Sequence, residues 1–176
     1  STTNPLTSGF GQQAAIFSYM ISHGILPREQ AFLKIKHYCA YQERSHKEVM
    51  GKLYDLGLFK KDAELLVSQL IEEGYLNEER FAIQFAGGKF RIKQWGKKKI
   101  VYALKEKQVS DYCIKKALAQ IDEEDYRKTL QKLAAAKWMQ LKGEKNRFVK
   151  MRKLQDYLLQ KGYEYELVKT KVTGME

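Results

Sequence analysis

The chain has 176 residues, with 32 Lys and Arg against 21 Asp and Glu, 2 Pro and 2 Cys. At 44% hydrophobic and 30% charged it suits a soluble folded protein, and no run nears the ~18 uninterrupted apolar residues of a membrane span. Cys39 and Cys113 are too few and too far apart for a disulfide scaffold or a Cys-rich zinc site, and no signal peptide opens the chain, so a cytoplasmic protein is expected. What remains is a net charge of +11, of the kind that meets nucleic acid or another acidic surface.

In chain order, residues 1–28 form an arm. Ser1 to Gly11 is rich in Ser, Thr and Gly and is expected to be loose, Gln12 to His23 is apolar enough for a short helix, and Pro27 marks a boundary. From Glu29 the text is helical, with no Pro and almost no two-residue alternation. Ala31, Ile35, Tyr38 and Cys39 share a helical face. Ser45-His46-Lys47-Glu48 has the form of a capping box that starts a second helix with Val49 and Leu53 inward. Gly57 is placed to end it in a left-handed cap. Leu65, Leu66, Leu70 and Ile71 make a third helix, ended by Gly74.

Asn77 is the expected cap of the next helix, which contains Arg80 to Phe85, and Gly87-Gly88 reads as a bend after it. Gly96 begins a helix with Ile100, Val101 and Leu104, and Ser110 caps another that runs to Ile121. Asp122 to Asp125 place four acids at a helix start, where the dipole favours them. That helix carries Tyr126, Leu130, Leu133, Ala134 and Leu141. A further one carries Phe148, Met151, Leu154 and Leu158 as its apolar face and is ended by Gly162. The last carries Leu167 and Val168.

These helices repeat. A shift of 51 moves Val49 onto Ile100, Leu53 onto Leu104, Leu58 onto Val109, Ala63 onto Ile114 and Leu70 onto Ile121. A further shift of 54 moves Ile100 onto Leu154, Leu104 onto Leu158, Val109 onto Tyr163 and Ile114 onto Val168, with Gly57, Gln108 and Gly162 in register. The expected fold is therefore all-α: an arm (1–28) and three tandem three-helix repeats at 29–76, 77–121 and 122–176, forming an elongated, curved body.

The charge is not shared evenly among them. Residues 1–76 hold 8 basic and 8 acidic side chains, residues 77–121 hold 11 and 4, and residues 122–176 hold 13 and 9. The densest stretch is Lys89 to Lys99, where cations alternate with Phe90, Ile92 and Trp95. The register puts Ser45, Gly96 and Lys150 at equivalent helix starts. The first is followed by a favourable acid, Glu48, the second by Lys97, Lys98 and Lys99. Three cations at the positive end of a helix cost about 0.3–1 kcal/mol each, so stability does not select them, whereas phosphate meeting free backbone N–H groups would. The expectation is that replacing the three with Glu weakens binding without loss of folding. Lys145, Arg147, Lys150, Arg152 and Lys153 form a second basic group. Phe90 and Trp95 read as packing residues. Tyr102 falls opposite the Ile100/Leu104 face, beside Lys98 and Lys105, and is the better candidate for stacking on a base.

Reaction chemistry has no footing in the text. His23, His37 and His46 are scattered, and His37 and Cys39 point in different directions on a helix. There is no G-x-x-x-x-G-K-[ST] loop, and the acidic pairs sit at helix ends. An enzyme, a metal site or a cofactor is not expected.

Three segments resemble one family. Gly74-Tyr75-Leu76-Asn77-Glu78-Glu79-Arg80-Phe81-Ala82 is similar to the G-Y-L-N/D-D/E-E-R-F/Y-A segment of the RecX family, bacterial regulators of the RecA recombinase. Lys89-Phe90-Arg91 with Trp95-Gly96 and Ile100 resembles its K-F-R…W-G…K-I segment. Glu43-Arg44-Ser45 with Glu48-Val49 and Lys52-Leu53 resembles its R-x-x-S…E-L…K-L opening. The resemblance covers about residues 29–172, and Gln108 departs from it where the family usually has Gly.

The resemblance implies a non-enzymatic, all-helical regulator, taken here as a monomer. It would bind RecA and the RecA filament on single-stranded DNA, and inhibit ATPase, strand exchange and coprotease activity, modulating recombination, repair and the SOS response. Such proteins also bind DNA. It makes Arg91, Lys93, Lys97, Lys98 and Lys99 the leading contact candidates, and Lys89 is counted with them as a candidate. Tyr102, Lys105 and the group from Lys145 to Lys153 rest on the charge pattern. The competing readings are a helix-turn-helix DNA-binding regulator acting without RecA, and an interaction module whose basic face meets an acidic protein.

Overall fold

The computed structural model describes residues 8–175. Among them are ten helices and no strand: α1 (Ser8–Ser22), α2 (Arg28–Tyr41), α3 (His46–Asp55), α4 (Lys60–Glu72), α5 (Glu78–Lys93), α6 (Lys97–Glu106), α7 (Asp111–Ala119), α8 (Glu123–Gln140), α9 (Arg147–Gln160) and α10 (Tyr165–Thr173). The loose segment expected over 1–11 lies outside the described residues up to residue 7. From Ser8 the chain is already helical. The chain divides into two compact units, residues 1–77 and 78–176.

In the first unit, α2, α3 and α4 pack around Ala31, Ile35, Val49, Leu53, Ala63, Leu66 and Leu70. The Ser45 capping box is complete: its hydroxyl accepts the Glu48 N–H at 3.1 Å, and the Glu48 carboxylate accepts the Ser45 N–H at 2.8 Å. Leu65 and Ile71, placed with the apolar set from sequence, are exposed instead, because Leu66 and Leu70 carry the face of α4 that meets its neighbours.

The second unit holds six helices on one continuous core, which runs from Phe81 to Val172. Every apolar residue paired by the two sequence shifts is buried, including Val49, Ile100 and Leu154, and Leu53, Leu104 and Leu158, all at 0% exposure. Gly57, Gln108 and Gly162 all take positive φ, at 89°, 59° and 98°. Gln108 thus adopts the left-handed conformation that glycine takes at the other two turns, despite its Cβ. Phe59, Ser110 and Glu164 are the corresponding caps of α4, α7 and α10.

Two sequence expectations need correction here. Gly87 and Gly88 are no bend: both lie inside the continuous helix α5. Lys150 is not a cap either. The cap of α9 is Asn146, whose side chain accepts the N–H groups of Phe148 and Val149, so α9 begins one turn earlier than the register with α6 implies.

Candidate nucleic-acid interface

The basic stretch Lys89 to Lys99 covers the end of α5, the turn after it and the first residues of α6. α5 ends in a left-handed turn at Gln94, with φ of 56°. Trp95 then packs against the core, and Phe90 is buried in it. Lys89 and Lys99 lie over the Trp95 ring, 5.0 and 4.9 Å from its centroid.

The start of α6 is not open to a ligand, contrary to the helix-start expectation. The Gly96 N–H donates to the Lys161 carbonyl (2.8 Å), and the Lys98 N–H to the Gly162 carbonyl (3.0 Å). The Lys97 N–H donates to the Tyr126 hydroxyl (2.9 Å), which in turn donates to Glu164 (2.7 Å). Tyr163 donates to the Gln94 carbonyl at 3.0 Å, and Lys161 to that of Lys93 at 3.2 Å. The turn between α9 and α10 therefore occupies the place assigned to phosphate. Gly96 is glycine for this contact: a Cβ there would meet the Gly162 carbonyl carbon at 2.2 Å and the Tyr163 nitrogen at 2.3 Å.

The lysines of this turn divide accordingly. Lys97 pairs with Glu123 at 2.7 Å, lies over the Tyr126 ring, and holds the Glu123 carboxyl below its usual range. Lys99 reaches the Gln160 carbonyl at 3.4 Å. Only Lys98 of the three is exposed. Replacing all three with Glu would set a carboxylate beside Glu123, so the expectation of unaltered folding does not hold for Lys97. Burial, reinforced by the hydrogen bond to Glu164, raises the Tyr126 hydroxyl far above its ordinary range, which keeps it a neutral donor.

Lys98, Tyr102 and Lys105 fall on one outward stripe of α6, opposite the buried Ile100 and Leu104. Tyr102 is 66% exposed. Arg91 and Lys93, at the end of α5, are also exposed and make no ion pair with a described residue. Arg91 lies back over Gly87, where a Cβ would meet its Nη1 at 2.6 Å.

The second basic group is similarly divided. Lys153 pairs with Glu144 at 2.9 Å, Arg147 donates to the Met175 carbonyl at 3.0 Å, and Lys150 lies 3.8 Å from the Trp138 ring centroid. Lys145 and Arg152 are exposed and form no ion pair with a described residue. Phe148, read as part of the apolar face, is 83% exposed. Sequence reasoning missed it because the true cap, Asn146, puts it in the first turn, beyond the reach of the core. The residue type at 146 was the signal.

Among the described residues no group of His, Cys, Asp and Glu could hold a metal ion, and no helix is long and apolar enough to cross a membrane.

Residues 77–118 match the family model described as "RecX, second three-helix domain", and residues 123–172 match "RecX, third three-helix domain". Together the two matches cover just over half of the chain. The chain is 35% identical over 124 residues to "Regulatory protein RecX" of Clostridium perfringens strain 13, covering 70% of this chain and 58% of that relative. It is 29% identical over 151 residues to the protein of the same name from Clostridium tetani, covering 83% of this chain and 69% of that one. The crystal structure of RecX from Lactobacillus salivarius superposes with a TM-score of 0.75 at 23% identity, over 83% of this chain and 94% of that chain. That likeness is one of fold.

Proposed function

The chain belongs to the RecX family of regulatory proteins, and from that premise we propose that it binds the RecA recombinase and its filament on single-stranded DNA. In this reading it inhibits RecA ATPase, strand exchange and coprotease activity by occupying the filament, and so modulates recombination, repair and the SOS response. It acts as a monomer, without a cofactor. The observation that carries the reading is the α6 stripe of Lys98, Tyr102 and Lys105, exposed within the segment that matches the second RecX domain. Cations with an aromatic between them suit a single strand, whose phosphates and unpaired bases are both within reach of one face. A neutral first unit beside a second unit carrying 24 basic and 13 acidic residues suits a protein that uses one part to meet polyanion.

The test is a titration into DNA-dependent RecA ATPase. Inhibition at protein levels well below those of RecA is expected, and unchanged hydrolysis throughout overturns the reading. Lys98→Glu with Lys105→Glu should weaken inhibition while the melting temperature holds, because neither side chain has an ion pair with a described residue to lose. Preference for one duplex sequence, with no effect on RecA, would instead favour a transcriptional regulator.

A further inference from the structure

We infer that the first turn of α9 is a stacking platform for single-stranded nucleic acid, with Phe148 presenting the stacking face. The inference deepens the proposed function and rests on it for the nature of the ligand, but it concerns a residue outside the α6 stripe.

Phe148 is the most exposed phenylalanine among the described residues. Its position is set by the Asn146 cap, which accepts the Phe148 N–H at 3.0 Å and the Val149 N–H at 3.2 Å, so the backbone is satisfied and the ring projects away. The ring contributes nothing to the core, whose nearest members on this helix are Met151 and Leu154. Its surroundings are cationic. Arg152 follows it by four residues, on the same face of α9, and Lys145 stands in the turn just before the Asn146 cap. Both are exposed, and neither forms an ion pair with a described residue. The adjoining acid, Glu144, is neutralised by Lys153 at 2.9 Å.

This chemistry selects among partners. The centre of a protein–protein contact is depleted of charge, whereas here exposed cations stand before and after Phe148 along the chain. A duplex hides its base faces within the stack. A single strand offers both a π-face for Phe148 and phosphates one nucleotide away for Lys145 and Arg152, and stacking of this kind tolerates any base.

The experiment measures binding of the full chain to fluorescently labelled oligo-dT and to an abasic oligomer of the same length and charge. Phe148→Ala should lower affinity for oligo-dT on the order of ten-fold and leave the abasic oligomer unaffected, with an unchanged salt slope. Phe148→Leu, which keeps apolar bulk but has no π-face, should behave like Ala, and Phe148→Trp should retain binding. Arg152→Gln should weaken both ligands and reduce the salt slope by about 0.7. Circular dichroism checks that each variant is folded. Wild-type affinity for oligo-dT in Phe148→Ala or Phe148→Leu overturns the inference, as does equal loss on both ligands. Loss of RecA inhibition with intact oligo-dT binding also overturns it, since it assigns Phe148 to a protein contact. Failure of the RecA reading shows separately, as a wild-type protein that leaves RecA ATPase unchanged.

Discussion

Single residues show how one amino acid can serve an unexpected neighbour. Gly96 precedes three lysines, and as sequence it reads as room for a phosphate. Its actual neighbour is the backbone of Gly162 and Tyr163, closer than any Cβ allows. Gly96→Ala should therefore destabilise the second unit by about 3 kcal/mol or more, seen as a fall in its denaturation midpoint. Gly88 is the control: it lies within α5 with open space around it, so Gly88→Ala should stabilise by roughly 0.5–1 kcal/mol. Gln108 is the converse case. It holds φ at 59° where its counterparts are glycine, so Gln108→Gly should raise stability by up to about 1 kcal/mol. Exposure at Phe148 and Tyr102 was likewise a matter of a few residues. Tyr102 follows from the helical period alone, while Phe148 depended on where the helix begins.

At the scale of elements, the latch between the start of α6 and the turn before α10 joins helices some sixty residues apart. Tyr126 stands at its centre. Its hydroxyl accepts from the Lys97 N–H and donates to Glu164, and its ring packs between Phe90 and Tyr163. Burial raises the pKa of both Tyr126 and Tyr163 in the folded state. Protons are then retained in the folded chain after the unfolded chain has lost them. Stability from these tyrosines is thus complete below about pH 10 and declines as the pH rises above it. The carboxylates work in the other direction. Lys97 holds the Glu123 carboxyl low, Lys153 that of Glu144 and Lys36 that of Glu73. Their contribution is complete above their ordinary value near 4.5 and is lost as the pH falls through the lowered ones. Denaturation midpoints across pH should form a plateau with both flanks falling, and Tyr126→Phe should soften the alkaline flank. It should also cost about 1–3 kcal/mol by leaving the Lys97 N–H unpaired.

For the whole molecule, charge and core are distributed by unit. Residues 1–77 are neutral, and residues 78–176 carry the entire excess of +11. Each unit has its own buried cluster. Expressed separately, the second unit should keep affinity for single-stranded DNA and the first should have none. Arg91, Lys93, Lys98, Lys105, Lys145 and Arg152 are exposed and form no ion pair with a described residue, and phosphate contacts by these six correspond to a log–log salt slope of about −4, measurable by anisotropy. Much of this was legible without coordinates. The helical class, the buried apolar positions paired by the repeat, the Ser45 capping box and the partition of charge follow from the 3.6-residue period, local cap chemistry and simple counting, all of which act within a few residues along the chain. Which lysines are free was not legible. That depends on Glu123, Tyr126, Gln160 and Glu144, brought to the lysine side chains from other helices and turns. Local sequence determined where cations stand, and only the tertiary structure decided which are spent on the fold, because a charge is neutralised by what lies near it in space.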